Sequence, residues 1–148
     1  MNFKGQSALI CGAGGGIGLA AANQLITRGL NVAIADLKDQ PADLADGPGQ
    51  VCYFQGDLSN ENFVRSIVEQ TVAELGGIHY LVNTTGVLWF DRDASVVDME
   101  MDVWDQVFAI NLKSFVLTAR HVVLHMRAQG GGAMVHISSI DALRGDNA

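Results

Sequence analysis

Apolar runs of strand length recur along the chain at Ser7 to Cys11, Val32 to Ala35, Val51 to Phe54, Ile78 to Val82 and Met134 to Ile137. Each lies between segments with helical spacing or glycine punctuation, an alternating β-α pattern. The runs read as Val, Ile, Leu and Ala without a polar face. Such strands belong to a parallel sheet covered by helices on both sides.

The helices are equally legible. Val64, Ile67, Val68, Val72 and Leu75 step by three and four residues, with Ser59 or Asn60 as the cap and Gly76-Gly77 as the stop. A first helix is predicted from Gly16 to Arg28, its Ile17, Ala20, Ala21 and Leu25 turned to the sheet. A short helix is expected near Pro41 to Ala45. The longest begins near Met101, runs through Trp104, Val107, Phe108, Asn111, Phe115 and Ala119 toward Met126, and ends at Gly130-Gly131-Gly132.

With 148 residues, 49% of them hydrophobic, the chain fits one domain with a real core over residues 1–148. A net charge of −7 offers no basic field for a phosphate backbone, so a nucleic-acid partner is not expected. The apolar stretches are broken short of the ~20 residues that span a bilayer, and the first residues lack an apolar signal core. The expectation is therefore a cytoplasmic protein without a membrane partner. Cys11 and Cys52 fall on strands placed on either side of a third, about 10 Å apart and beyond the ~7 Å reach of a disulfide. Both are expected to be small core residues in a reducing compartment.

Gly12 to Gly18, GAGGGIG, sits between the first strand and the first helix. A glycine turn there exposes unpaired N–H groups at the positive end of a helix dipole, and the missing Cβ atoms let a diphosphate reach them. The spacing is Gly12-x-x-x-Gly16-Ile17-Gly18, since G-x-G-x-x-G does not fit. Asp36 closes the second strand, 24 residues beyond Gly12, where a carboxylate accepts ribose hydroxyls and repels a 2′-phosphate. Leu37, where an arginine would favour a 2′-phosphate, points to NAD rather than NADP, with Lys38 as a counterweight.

These residues resemble the short-chain dehydrogenase/reductase family over nearly the whole chain. Gly12, Gly16, Ile17 and Gly18 match its cofactor turn, and Asp57-Leu58 matches the pair that holds adenine. Asn83-Thr84-Thr85-Gly86 resembles its Asn-Asn-Ala-Gly, Asn111 its helix asparagine, and Ser139 its catalytic serine. The resemblance implies a Rossmann-type doubly wound sheet, five of the family's seven strands being present in the order 3-2-1-4-5. It also implies an NAD-dependent oxidoreductase acting on a small-molecule alcohol or carbonyl. Asn83 and Gly86 would join the cofactor-binding set; Ser139 would bond the substrate oxygen, and Asn111 would help hold a water in the proton relay. Asn111 read alone has a second reading, a buried amide satisfying neighbouring backbone. The long helix from Met101 resembles one that pairs subunits, so a homo-oligomer is expected at full length.

Two departures stand out. Cys11 replaces the family's usual threonine, whose hydroxyl ties the first turn to the loop after the fourth strand; Thr84 or Thr85 is expected to supply that tie from the other side. The family's Tyr-x-x-x-Lys is expected after Ser139, and nine residues follow that serine. Tyr53 and Tyr80 lie in strands three and four as core residues. The expectation is a chain truncated at its carboxyl end, inactive alone, with the fifth strand as an unpaired apolar edge. The rival reading is a non-catalytic dinucleotide-binding or dimerisation module, or a gene remnant.

Other signals carry less. His121 and His125 are four apart on one helix, but no third ligand is evident and no metal is expected. His79 and His136 are expected to be hydrogen-bonded structural residues, and Asp91-Arg92-Asp93 a solvated loop. Trp89-Phe90 either walls an apolar substrate pocket or packs under its loop; Trp104 is expected in the core.

Overall fold

β1 (Ser7–Cys11) is buried at every position and takes the middle of a parallel five-stranded sheet. The sheet is seen in a computed structural model that describes Phe3 and residues 5–143. Its order is β3-β2-β1-β4-β5, with β2 at Asn31–Asp36, β3 at Val51–Gln55, β4 at Tyr80–Asn83 and β5 at Ala133–His136. Successive side chains of β1 point to opposite faces. Ala8 and Ile10 pack with Ala22, Ile26 and Leu30 of the segment containing α1 (Gly16–Thr27). Leu9 and Cys11 pack with Val64 and Ile67 of α2 (Glu61–Leu75) and with Leu117 and Val122 of the long helix beyond. Both faces are thereby covered, and the fold is Rossmann-like.

α2 is bounded by the residues that its ends require. Asn60 Oδ1 accepts from the N–H groups of Asn62 and Phe63, and Gly76 closes the helix in the left-handed conformation at φ +79°. The long helix runs from Met101 to Ala128 in three parts: α3 (Met101–Phe108), a π-helical segment (Ala109–Lys113) and α4 (Ser114–Ala128). Its 28 residues are long and apolar enough to cross a membrane by length and composition alone, a feature that contiguous apolar runs do not reveal because Asp105, Asn111 and Lys113 interrupt them. Here Val103, Leu117, Val122 and Met126 are buried against the rest of the chain.

Several expectations need correction. α1 turns Gly18, Leu19, Ala22 and Ile26 inward, leaving Ile17 66% exposed. Pro41 to Ala45 forms turns rather than a helix. A segment that short nucleates poorly, and Asn23 of α1 pins it instead, donating to the Asp43 carbonyl and accepting from Ala45 N–H. β4 starts at Tyr80 rather than Ile78, because Gln129 takes both backbone groups of Ile78. Trp104 is 42% exposed and stacks on Phe108 with ring centroids 4.4 Å apart.

The cysteines are free and on strands flanking β2, as expected, but Cys52 is only half-buried and its thiol donates to Glu74 Oε2 at 2.9 Å. Tyr53 and Tyr80 are half-buried, with hydroxyls donating to the Lys38 carbonyl and to Gln6 Oε1. β5 lies at the sheet edge and is mostly exposed among the described residues.

Candidate functional site

From β1 the chain steps outward to β2 and β3, then returns to pair β4 on the other side of β1. Where strand order reverses, the loops leaving the two strands diverge and open a crevice beyond their carboxyl ends. A cleft of about 570 Å³ lies there, walled by Gly12, Gly16, Ile17, Gly18, Asp36, Asp57, Leu58 and Gly86 among others. These eight of the eleven residues singled out in the sequence thus share one surface.

The first wall is the glycine turn. Gly12 adopts φ +82°, and a Cβ on it would come within 2.5 Å of Thr85 N. The turn therefore packs directly on the loop after β4. A Cβ on Gly18 would collide with the Gly12 carbonyl and with Thr84 Oγ1. By contrast, Gly16 faces open space, and Gly15 caps α1 without a side-chain hydrogen bond. The first-turn amides of α1 thus have no side-chain partner, and the positive end of its dipole stands at the cleft.

Thr84 supplies the expected tie: its hydroxyl donates to the carbonyls of Cys11 (2.9 Å) and Gly12 (3.0 Å). Thr85 does not share it. Its Oγ1 is sealed from solvent and has no hydrogen-bond partner.

Asp36 ends β2 at the second wall. Its carboxylate accepts from Gly14 N–H (2.7 Å) and Lys38 N–H (2.9 Å), which fixes the turn against the strand end and leaves further lone pairs free. Burial pushes the Cys11 thiol far above its ordinary value, and the Asp36 charge adds to the shift. The same two causes raise Tyr53, with Asp39 contributing last. Cys52, also desolvated and bonded to Glu74, is raised to about 12. Both thiols are protonated and unreactive at neutral pH. At the third wall Asp57 Oδ1 accepts from Ser59 N–H at 2.8 Å, and Leu58 is almost wholly buried beneath it.

Three of the eleven residues do not line the cleft. Asn83 is buried below it, its amide donating to Thr118 Oγ1 at 2.9 Å and standing 3.0 Å from His136 Nδ1, so that it braces β4 against α4 and β5. Asn111 sits in the π segment and engages both backbone groups of Val87: the amide nitrogen donates to the carbonyl (2.9 Å) and the oxygen accepts from the N–H (2.8 Å). Its side chain therefore fastens the loop after β4. Ser139, exposed beyond β5, caps the short 3-10 turn Ile140–Ala142 and donates to Asp141 Oδ2 at 2.9 Å.

Residues absent from the sequence-based set also form the wall, notably Lys38, Thr84, Thr85, Gln106, Ala109 and Ile110. The last three follow the i, i+3, i+4 spacing of one helical face, a signal that could have found them. Phe90, at 88% exposed, packs under nothing, and Trp89 carries the Arg92 guanidinium 4.5 Å above its ring; neither lines the cleft. His121 contacts Glu61 Oε1 at 3.2 Å, and His79 Nδ1 accepts from Ser7 N–H at 3.1 Å. No metal-binding group of side chains occurs among the described residues.

Comparison with known proteins finds relatives over nearly the whole chain. The family profile described as short chain dehydrogenase covers residues 6–147. Cis-4-hydroxycyclohexanecarboxylate dehydrogenase of Sinomonas cyclohexanicum is 31% identical over 93% of this chain and 56% of its own. The 3-oxoacyl-(acyl-carrier-protein) reductase of Thermotoga maritima is 32% identical over 99% of this chain and 60% of its own. Among solved structures, that of NADH-dependent reductase A1-R′ complexed with NAD superposes with a TM-score of 0.87 at 25% identity, covering 99% of this chain and 66% of that one. The chain spans about half the length of the curated relatives it matches, 54% to 58% in three of them. On the profile match, the motif order and the shared strand topology, the chain belongs to the short-chain dehydrogenase family.

Proposed function

We propose that this chain is the dinucleotide-binding part of an oxidoreductase that transfers a hydride between NAD(H) and the carbon of an alcohol or carbonyl substrate. The observation that carries the reading is the convergence of the glycine turn, Asp36, Asp57-Leu58 and Gly86 on one cleft at the switch point of the sheet. The residues fit the cofactor: missing Cβ atoms leave open approach at Gly16, the dipole of α1 favours the diphosphate, and Asp36 keeps lone pairs for ribose hydroxyls. The bound nicotinamide supplies the hydride chemistry. Asp57 and Leu58 hold the adenine end, and Asn83 supports the floor from beneath.

Ser139 bonds the substrate oxygen and stabilises charge developing on it, while Asn111 fixes the loop carrying Val87 beside the reacting end. The hydroxyls of Tyr53 and Tyr80 donate to the Lys38 carbonyl and to Gln6 Oε1, and neither residue lines the cleft, so neither is assigned as the proton donor. The chain's exposed apolar stripe, Trp104, Phe108, Leu112 and Val116, pairs subunits into a homo-oligomer.

Calorimetric titration with NAD and NADP tests the assignment. A carboxylate at Asp36 repels a 2′-phosphate, so NAD should bind at least about tenfold more tightly, a margin of ~1.4 kcal/mol. Asp36→Ala should narrow that gap. Equal affinity of the parent for both dinucleotides would remove Asp36 from the site, and binding of neither would sink the reading.

A further inference from the structure

Thr84 and Thr85 are neighbours with opposite bookkeeping. The Thr84 hydroxyl is bonded to two backbone carbonyls; that of Thr85 is sealed from water and bonded to nothing. A buried hydroxyl without a partner destabilises the folded chain, and an isosteric valine would fill the space without that cost. Thr85 also stands where the resembling family carries alanine, so the position does not need a hydroxyl for the turn to form.

Its surroundings suggest what the hydroxyl meets. The Thr85 backbone packs against Gly12, and Thr85 helps wall the cleft that Gly12, Gly16 and Gly18 share. The residue as a whole is half-buried, so other atoms of Thr85 reach the surface while Oγ1 is turned inward. The remaining staggered rotamers swing Oγ1 by about 120° around Cα–Cβ, and no internal hydrogen bond resists that turn. A dinucleotide held on the glycine turn, as proposed above, would lie along the same cleft wall that Thr85 helps to form.

We propose that Thr85 is a cofactor-recognition residue whose hydroxyl, unsatisfied in the free protein, turns to bond an oxygen of the diphosphate–ribose stretch of the bound dinucleotide. The inference rests on the dinucleotide-binding reading and adds a residue to it. It requires opposite effects of one substitution: removing the hydroxyl relieves the free protein and weakens the complex.

The experiment compares the full chain with Thr85→Val and Thr85→Ser, by thermal unfolding without ligand and by calorimetric titration with NAD and with ADP-ribose. Thr85→Val should raise the unfolding midpoint by about 2–4 °C and weaken both ligands about three- to tenfold. Thr85→Ser, which keeps the hydroxyl, should bind within about twofold of the parent. Thr85→Ala makes the same binding comparison if the valine variant does not fold. Undiminished affinity in the hydroxyl-free variant overturns the proposal. A lowered midpoint in Thr85→Val, restored in Thr85→Ser, also overturns it, because the hydroxyl would then have an internal partner. Failure of the parent to bind either ligand is a separate result, which overturns the dinucleotide-binding reading and this inference with it.

Discussion

Thr84 reaches backward across the switch point and holds β1's exit through one bifurcated hydrogen bond, to Cys11 and Gly12 carbonyls that lie 73 and 72 residues earlier. The thiol of Cys11 faces the core and cannot make that link. Thr84→Val keeps the volume and removes the donor, so equilibrium denaturation should show a loss of about 1–3 kcal/mol, with Thr84→Ser recovering most of it. No loss in the valine variant would mean that the carbonyls are satisfied without Thr84. Sequence alone narrowed the tie to two adjacent threonines and could go no further, because the choice depends on which side chain the loop turns toward Gly12. Asn83 shows the same limit: its motif position was legible, but its orientation toward Thr118 and His136 is set by α4 and β5, far along the chain.

At the scale of elements, the glycine turn dictates the phase of α1. Gly18 must face the Gly12 carbonyl and Thr84, since only a missing Cβ fits there; this fixes Leu19, Ala22 and Ile26 inward and delivers Ile17 to the cleft. Apolar periodicity placed the inward face about one residue off, because Ile17 looks like a core residue unless a ligand surface is considered. The π segment hides similarly. It inserts a wider turn at Ala109–Lys113, so the exposed Trp104 and Phe108 and the buried Leu117 and Val122 belong to one continuous helix with different facing. Gly18→Ala should open the turn, costing about 1–3 kcal/mol of stability and weakening dinucleotide binding at least tenfold (~1.4 kcal/mol). Asn60→Ala serves as the comparison: it removes the α2 cap at a cost of about 1 kcal/mol and should leave binding unchanged. Equal effects on binding would show that general loosening, rather than the turn, controls affinity.

Across the described residues, burial falls from the fully enclosed β1 to the half-buried β3 and the largely exposed β5, while the cleft opens at the carboxyl ends of the central strands. Two-sided covering of the sheet was legible because apolar runs free of polar positions must be covered twice, and glycine punctuation located their exits; the strand order came from the family resemblance. The exposed stripe Trp104, Phe108, Leu112 and Val116 was not legible, since in one dimension it reads as core, although the family resemblance points to this helix as one that pairs subunits. In the folded chain these side chains are 42% to 56% exposed, at four-residue spacing along one helix. Such a row lies on a single face, and a contiguous apolar face of this kind is unusual on a monomer. Sedimentation velocity should therefore show concentration-dependent self-association, and Leu112→Glu with Val116→Glu should yield monomer, because two carboxylates per subunit would be desolvated or opposed at the contact. The substituted positions point away from the cleft's buried supports, so dinucleotide affinity should persist in the monomer; unchanged association of the double variant would place the subunit contact elsewhere.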